Sequence, residues 1–278
     1  MAGILYLCAT PIGNLEDITY RVVRILGEVD LIAAEDTRVS LKLLKHYGIT
    51  KPLISYHEHN KASKGELLVR KLLEGQNVAL ISDAGTPGIS DPGEELVRLC
   101  YAEGITVTSL PGASACITAL TLSGLSTRRF VYEGFLPMEK KERELVLTRL
   151  PQEERTTVFY EAPHRMVKTL RLIYDVVGNR AVTICRELTK LYETAWVTSL
   201  EEAITVYEAQ APKGECVIVL SGVDPEMLRQ EKIQKWEEQS LESHLEFYIE
   251  QGFDKKEAMK LVAKDRGVSR REVYQGLL

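Results

Sequence analysis

The chain has 278 residues, 45% of them hydrophobic and 27% charged, with a formal net charge of −5. This length and composition allow one large core or two smaller ones, and no apolar run is long enough to span a bilayer. The negative net charge argues against a general polyanion-binding protein, although a local basic face can still bind nucleic acid. The five cysteines show no Cys-x-x-Cys spacing, which predicts buried thiols in a soluble, cytoplasmic protein.

Strand and helix patterns alternate through the first ~115 residues, as in a parallel α/β unit. The N-terminal apolar run lacks the basic flank of a signal peptide and predicts a first strand. Helical spacing predicts helices over Asp17–Val29 and Glu94–Glu103, the second with Asp91 as N-cap, and another helix opens after Ser114. Five predicted strands cover Ile4–Ala9, Leu31–Ala34, Leu53–Tyr56, Val78–Ile81 and Thr106–Leu110.

A second α/β region follows, and its uneven connections predict a mixed sheet. Its predicted strands cover Phe130–Phe135, Thr157–Tyr160, Ala181–Arg186, Trp196–Ser199 and Glu215–Leu220. Its predicted helices cover Lys140–Leu150, Arg165–Val177 and Leu200–Gln210. We therefore expect three domains: an N-terminal α/β domain over residues 1–117, a second one over residues 118–223, and a helical domain over residues 224–278.

The C-terminal segment has a helix-turn-helix pattern. Ala263, Gly267 and Val273 stand at the spacing of that motif, with the glycine in the turn. Several cations surround it, among them Lys264, Arg270 and Arg271, but acidic residues partly balance them. The pattern is therefore equally compatible with a nucleic-acid contact and with a helical hairpin that only packs.

The most informative loop is Ser82–Gly93, which contains three glycines and two prolines. It leaves the carboxyl end of the fourth predicted strand, where ligands bind in open α/β sheets. Asp83 and Asp91 suit a cationic or hydroxyl-rich ligand better than a phosphate. Loops after the first and fifth strands, Ala9–Asn14 and Pro111–Ala115, should converge on the same crevice.

Several common chemistries lack their sequence signatures. No Gly-x-Gly-x-x-Gly follows a strand and no Walker-type Gly-Lys-Ser/Thr occurs, which argues against dinucleotide oxidoreductases and P-loop NTPases. His57 and His59 lack a third metal ligand positioned by sequence, so we expect no metal. The serines lack a Gly-x-Ser-x-Gly setting, which argues against a hydrolase nucleophile. The residues alone support a small polar ligand in an α/β cleft.

Seven short blocks, in order over the first ~220 residues, resemble the ribosomal RNA small subunit methyltransferase I family. They are Thr10-Pro11-Ile12-Gly13-Asn14-Leu15, Ala34-Glu35-Asp36-Thr37-Arg38, Ser82-Asp83-Ala84-Gly85-Thr86-Pro87, Pro111-Gly112-Ala113-Ser114-Ala115, Gly134-Phe135-Leu136-Pro137, Phe159-Tyr160-Glu161-Ala162-Pro163-His164-Arg165 and Arg186-Glu187-Leu188-Thr189-Lys190. The resemblance implies a two-domain α/β fold of the tetrapyrrole-methylase type with a C-terminal helical extension, and a homodimer. It also implies transfer of a methyl group from S-adenosylmethionine to the ribose 2′-oxygen of a cytidine in the decoding region of 16S rRNA.

The same resemblance suggests where the methyl donor binds. The corresponding positions are Pro11, Ser82, Asp83, Thr86, Ser114 and Ala115. Asp83 stands where the wider superfamily has Gly-Asp-Pro, but Ser82 and Ala84 flank it here. This departure matches the ribosomal branch and argues against the porphyrin and corrin branches.

Methyl transfer to a ribose hydroxyl needs alignment and gains from a base or an oxygen-stabilising cation. Glu161 and His164 are the first candidates because they directly follow a predicted strand. Further catalytic candidates are Asp36, Arg165 and Lys190, and Tyr132, Phe135 and Tyr160 could stack on a base. Candidate RNA phosphate contacts are Arg38, Arg128, Arg129, Arg165, Arg186 and Lys190.

Two other functions remain open at this point. The first is a small-molecule tetrapyrrole methyltransferase, which would share the fold and the donor. The second is a nucleic-acid-binding regulator whose α/β part senses a ligand while its tail binds DNA. The regulator predicts tail-dependent duplex binding and no methyl transfer.

Overall fold

The computed structural model describes the backbone of residues 1–278 and the side chains of all but residues 231, 232, 235 and 237. The chain forms two compact units. The first, the α/β unit, comprises Met1–Leu150 and Arg155–Ser221. The second, the helical unit, comprises Pro151–Glu154 and Gly222–Leu278. Among the described helices, none combines the length and apolar character that crossing a bilayer requires.

The α/β unit begins with a five-stranded parallel sheet of order β3-β2-β4-β1-β5. Its elements are β1 (Ile4–Cys8), α1 (Tyr20–Glu28), β2 (Leu31–Ala34), α2 (Thr37–His46), β3 (Leu53–Ser55), α3 (Lys61–Leu73), β4 (Val78–Ile81), α4 (Gly93–Ala102), β5 (Thr106–Leu110) and α5 (Ala115–Leu122). Every residue of β2 and β4 is buried, because helices cover both faces of a parallel sheet. The five predicted strands are confirmed to within one residue at their ends.

Two helices of this sheet, α2 and α3, are absent from the sequence prediction. Helix α2 begins after Asp36, whose carboxylate accepts a hydrogen bond from the Arg38 N–H at 2.8 Å. It buries only Ser40 and Leu44, although its apolar residues recur at helical spacing. At α4, the expected cap Asp91 lies one residue too early, and Pro92 is the N-cap.

The second five-stranded sheet has the order β6-β7-β10-β8-β9. Its elements are β6 (Phe130–Phe135), α6 (Lys140–Arg149), β7 (Thr156–Glu161), α7 (Met166–Val177), β8 (Ala181–Arg186), β9 (Thr194–Ser199), α8 (Leu200–Ala209) and β10 (Cys216–Leu220). Strands β6 and β7 pair in parallel while the other neighbours are antiparallel. The α/β class and the mixed second sheet are therefore confirmed.

Helix α5 joins the two sheets. It follows β5 of the first sheet, yet its buried Ala119 and Leu120 share a core with Val158, Cys185 and Val217 of the second. The opposite face of the second sheet has its own core, centred on Phe159, Ile184 and Ile218. All five cysteines of the chain are free and buried, and burial raises the pKa of the Cys8 thiol to about 12.

The helical unit consists of α9 (Pro225–Glu237), α10 (Leu241–Glu250), α11 (Lys255–Asp265) and α12 (Arg270–Gly276). A short turn joins α11 to α12, with Gly267 at a φ of 63°, a conformation that glycine adopts without strain. Ser269 then starts α12 with a capping box to Glu272. Buried side chains of Val262, Ala263 and Val273 hold these helices together.

A buried histidine makes the helical unit sensitive to acid. The His244 ring is fully buried and stacks on Trp236 with the ring centroids 3.6 Å apart. Arg266 Nε donates to its Nδ1 at 3.2 Å, and Asp265 Oδ2 lies 3.4 Å from its Nε2. Burial lowers the pKa of His244, and the Asp265 carboxylate opposes this shift only in part.

We therefore expect the helical unit to lose stability as the pH falls below about 6.5, the ordinary histidine pKa. Below that pH the unfolded chain takes up a proton that folded His244 resists, so acid favours unfolding. The measurement is the urea midpoint reported by Trp236 fluorescence in a Trp196→Phe background, at about pH 7.5 and about pH 5.5. The His244→Phe variant keeps an aromatic ring on Trp236 and should lose most of the difference. An equal pH dependence in that variant contradicts the assignment.

Candidate functional site

Three loops at the carboxyl ends of β1, β4 and β5 are hydrogen-bonded to one another. The backbones of Thr10 and Gly85 exchange N–H···O bonds at 2.9 and 3.0 Å. The Thr10 hydroxyl donates to the Ser82 carbonyl at 3.2 Å, and the Thr86 hydroxyl donates to the Ala113 carbonyl at 3.0 Å. The loops therefore form one connected wall at this edge of the sheet.

The larger cavity at this wall has a volume of about 460 Å³. The loops after β1 and β4, helix α2, the loop after β8 and the residue before β10 contribute to its lining. Its lining residues are Thr10, Pro11, Ile12, Gly13, Leu15, Val39, Ser40, Lys42, Leu43, His46, Ser82, Asp83, Ala84, Lys190 and Glu215. Lys42, His46, Lys190 and the Asp83 carboxylate add charged and polar groups to a lining that also contains apolar residues.

The smaller cavity has a volume of about 290 Å³ and lies between the two sheets of the α/β unit. Its lining residues are Ile12, Ala84, Gly85, Thr86, Ile89, Ser114, Ala115, Phe135, Tyr160, Glu161, Ala162, Pro163, Leu188, Glu215, Cys216 and Val217. Most of these side chains are apolar. Ile12, Ala84 and Glu215 also line the larger cavity, so the two cavities are neighbours with a common boundary.

The residues predicted to bind the methyl donor are divided between the two cavities. Pro11, Ser82 and Asp83 line the larger one. Thr86, Ser114 and Ala115 line the smaller one. The six positions therefore lie along a path that crosses the common boundary of the cavities.

Asp36 stabilises the start of α2 instead of facing either cavity. Its carboxylate binds the Arg38 guanidinium at 2.6 and 3.0 Å. Hydrogen bonds from the Arg38 side chain and backbone lower the pKa of Asp36 to about 2. The Asp36 N–H donates to Asp83 Oδ1 at 3.0 Å, which ties α2 to the β4 loop. Burial and the Asp83 charge raise the pKa of neighbouring Glu35.

The Glu161 carboxylate contacts three groups of the protein. Its side chain is fully buried, and Oε1 accepts the Ala162 N–H at 2.8 Å and lies 3.3 Å from Arg165 Nε. The Thr169 hydroxyl donates to Oε2. Arg165 also donates to the Leu136 carbonyl at 2.6 Å. These contacts connect β7, α7 and the end of β6, and they occupy both carboxylate oxygens.

Lys190 lies between two carboxylates at the edge of the larger cavity. Its Nζ is 3.1 Å from Glu187 Oε1 and 2.9 Å from Glu215 Oε2. Partial burial lowers the pKa of Lys190, but the hydrogen bonds and charges of these carboxylates outweigh that effect and raise it. Lys190 is therefore a stable cation at neutral pH and cannot itself accept a proton.

The backbone around Lys190 is strained. Glu187 and Thr189 have φ angles of 49° and 67°, a region that side chains other than glycine rarely occupy. A Cβ on Gly13 would lie 2.5 Å from Lys190 Cγ and 2.9 Å from the Leu188 carbonyl oxygen. Strain of this kind concentrates at functional sites.

The other predicted residues lie outside the lining of both cavities. Arg128 and Arg129 are exposed ahead of β6, and His164 is exposed after β7. The Arg38 side chain is 87% exposed beside Asp36. Arg186 ends β8 and interacts with the Tyr207 hydroxyl.

The predicted stacking residues have structural contacts of their own. The Cys116 N–H donates to the Tyr160 hydroxyl at 3.0 Å, and the Tyr132 and Ser90 hydroxyls are 2.6 Å apart. The rings of Tyr132 and Tyr160 meet edge to face with centroids 5.2 Å apart. Phe135, which is 48% exposed, lines the smaller cavity.

Sequence reasoning missed four polar residues of the larger cavity: Ser40, Lys42 and His46 on α2, and Glu215 before β10. The signal for α2 was the Asp36-Thr37 pair, a helix N-cap followed by its first residue. Recognising it would have placed positions 40, 42, 43 and 46 on the side of α2 that borders the crevice. For Glu215 no local pattern indicates a functional role.

Comparisons with known proteins agree with this architecture. The family model for tetrapyrrole (corrin/porphyrin) methylases matches residues 4–204. Ribosomal RNA small subunit methyltransferase I of Halalkalibacterium halodurans is 50% identical over 98% of this chain and 93% of its own length. The protein of the same name from a Synechocystis species is 48% identical over 98% of this chain and 96% of its own length.

A solved structure shows the same fold at low sequence identity. Uroporphyrin-III C-methyltransferase from Thermus thermophilus, in complex with S-adenyl homocysteine, superposes with a TM-score of 0.57 at 19% identity. The match covers 78% of this chain and 97% of that chain. The chain belongs to the tetrapyrrole (corrin/porphyrin) methylase family and, within it, to the ribosomal RNA small subunit methyltransferase I proteins, and it is a methyltransferase.

Proposed function

We propose that this methyltransferase modifies small-subunit ribosomal RNA with S-adenosylmethionine as donor, and that its product is a 2′-O-methylated cytidine in the decoding region of 16S rRNA. Relatives named for small-subunit rRNA methylation match over 98% of the chain. The observation that carries the proposal is the pair of neighbouring cavities, of which the smaller is mostly apolar and the larger is also lined by Lys42, His46 and Lys190. A two-substrate transfer needs such a pair, because donor and acceptor must meet in line.

The smaller cavity and its boundary fit the chemistry of the donor. Ile89, Phe135 and Leu188 offer apolar surface for an adenine, and the Thr86 and Ser114 hydroxyls are close to where a ribose would lie. The sulfonium is a cation, which favours carboxylates such as Asp83 at the edge of the larger cavity. When bound, the donor supplies an electrophilic methyl group.

The larger cavity fits an acceptor nucleotide. Lys42, His46 and Lys190 provide cations or donors for phosphate oxygens and polar base edges. Ser40 provides a hydroxyl from a residue that is only 2% exposed. Outside the lining of the two cavities, Arg38, Arg128, Arg129, Arg165 and Arg186 remain candidate contacts for the flanking RNA.

The catalytic roles of Glu161, His164, Asp36 and Lys190 also remain proposals. The contacts of Glu161 and Asp36 favour structural roles for both carboxylates. Lys190 is better suited to stabilise charge or orient a neighbour than to accept a proton. His164 would need the RNA to reach it outside the two cavities.

The same proposal includes the organisation and surroundings of the protein. We place the donor loops in residues 1–117, the second α/β domain in residues 118–223 and the helical extension in residues 224–278. We also propose that two copies of the chain form a homodimer and that the enzyme works in the cytoplasm, where its rRNA substrate is made.

The test is to map methylated riboses in rRNA from strains with and without the gene. Small subunits from the deletion strain should accept labelled methyl from the purified protein, and the modified position should resist alkaline cleavage. Transfer to a porphyrin precursor but to neither subunits nor free RNA contradicts the proposal and favours the tetrapyrrole alternative. Duplex DNA binding that depends on the C-terminal helices, without methyl transfer, favours the regulator.

Asp83→Ala is expected to weaken S-adenosylmethionine binding roughly tenfold, because hydrogen bonds and charges at such a carboxylate are worth about 1.5–3 kcal/mol. The variant loses a negative charge from the larger cavity and the acceptor of the Asp36 N–H. Isothermal calorimetry with the donor measures the effect. Asp83→Asn retains that acceptor but removes the charge, so it separates the two contributions. Wild-type affinity in both variants argues against a donor-binding role.

A further inference from the structure

We propose that Glu215 is the catalytic base of the methyl transfer, accepting the proton of the ribose 2′-hydroxyl, and that Lys190 positions its carboxylate. This inference rests on the proposed function. Three residues line both cavities: Ile12, Ala84 and Glu215. Of these, Glu215 is the one with an ionisable side chain. It lies at the boundary where a donor in one cavity would meet an acceptor in the other.

The Glu215 carboxylate is held in place yet open to a substrate. Oε2 is 2.9 Å from Lys190 Nζ, and the side chain is 76% exposed. Oε1 therefore stays available. This contrasts with Glu161, which is fully buried and uses both oxygens within the protein.

Glu187 contacts both Lys190 and the Glu215 backbone. Glu187 Oε1 accepts both the Glu215 N–H at 2.9 Å and Lys190 Nζ at 3.1 Å. The Glu187 N–H donates back to the Glu215 carbonyl at 3.0 Å. Glu187 keeps a φ of 49°, and Gly214 has a φ of 80°, while a Cβ on Gly214 would overlap the Glu187 side chain. These contacts fix the Glu215 backbone and Lys190, and Lys190 in turn positions the Glu215 carboxylate.

An independent observation indicates a polar ligand in the larger cavity. Ser40 is 2% exposed, lines that cavity, and its Oγ has no hydrogen-bond partner among the described residues. A buried hydroxyl without a partner is rare in proteins. A nucleoside whose base forms a hydrogen bond to the Ser40 hydroxyl would supply the missing partner, with its ribose directed toward the cavity boundary.

The proton transfer balances without any further reactant. The 2′-oxygen forms a bond to the methyl carbon as the sulfur–carbon bond breaks, and that electron pair stays on sulfur. The oxygen becomes strongly acidic as the new bond forms, and its proton passes to the Glu215 carboxylate. Lys190 stays charged and keeps the carboxylate aimed, consistent with its raised pKa.

The experiment measures single-turnover methyl transfer to small subunits that lack the modification, together with the affinity of each variant for S-adenosylhomocysteine. Glu215→Gln keeps the size and an acceptor for Lys190 but cannot take up a proton. It should lose roughly 100-fold in rate, the typical effect of removing a general base, with an affinity within about threefold of wild type. Glu215→Asp should recover part of the rate.

Two further variants separate catalysis from structure. Glu187→Gln weakens the hold on Lys190 without altering the proposed base and should lose less than about tenfold. Glu193→Gln changes a carboxylate of the same loop that accepts the Thr189 N–H and lines neither cavity, and it should match wild type. Equal losses in the position 187 and 215 variants, or a Glu215→Gln rate within threefold of wild type, overturn the assignment. A wild-type protein that transfers no methyl group to RNA overturns the proposed function itself.

Discussion

Replacing Glu161 with alanine is expected to lower the free energy of unfolding of the α/β unit by about 3 kcal/mol, the effect of breaking a buried ion pair. The change leaves the Thr169 hydroxyl and the Ala162 N–H without their acceptor and Arg165 without its carboxylate. Unsatisfied buried donors are the main reason for the loss. Urea unfolding, followed by Trp196 fluorescence in a Trp236→Phe background, measures it.

The chain offers a matched control for this experiment. Glu208 forms an ion pair with Arg171 between α8 and α7, but there the side chains are 39% and 61% exposed, respectively. Exposed pairs contribute at most about 1 kcal/mol, so Glu208→Ala should have a small effect. Similar losses in the two variants argue against a structural role for Glu161. Normal stability together with lost methyl transfer in Glu161→Gln would instead restore this residue as a base.

Replacing Gly13 with alanine is expected to reduce methyl transfer roughly 100-fold, since misplacing a reacting group by about 1 Å has effects of this size. The added Cβ would lie 2.5 Å from Lys190 Cγ and 2.9 Å from the Leu188 carbonyl oxygen. One of the two loops must therefore move, which disturbs the packing of Gly13 against Lys190, the residue whose Nζ contacts the Glu215 carboxylate. Single-turnover transfer to small subunits is the measurement.

Gly27→Ala is the control for Gly13→Ala. A Cβ on Gly27, which lies within α1, meets nothing within 4 Å. Alanine there should stabilise the protein by about 0.5–1 kcal/mol through helix propensity and leave the rate unchanged. A Gly13→Ala rate equal to that of Gly27→Ala shows that the close approach of the two loops is dispensable.

Sequence patterns predicted the strands of the first sheet but not α2. Buried strands such as Val78–Ile81 are continuous apolar runs, so their amino-acid composition alone indicates that they are buried strands. Helix α2 exposes most of its length and buries Ser40 and Leu44, yet its apolar residues have helical spacing and Asp36 caps it. No helix was predicted after Asp36, and the residues that α2 contributes to the larger cavity were therefore not recognised.

The candidate base shows a second limit of sequence reasoning. Glu161 follows a strand directly, which made it a natural first choice. The structure turns its carboxylate toward Thr169 and Arg165. The position of a residue after a strand predicts where its backbone lies. The contacts of its side chain depend on the elements that pack around it in the folded protein.

The sequence by itself determined the α/β class, the strands and the family, because each is encoded in local runs and blocks of residues. Only the tertiary structure brought Ile12, Ala84 and Glu215 to one boundary and placed Lys190 between Glu187 and Glu215. These residues lie in distant parts of the chain, and their proximity depends on the strand order and on α5, which carries the chain from the first sheet to the second. A cavity is a property of packing, so no local pattern could have specified it.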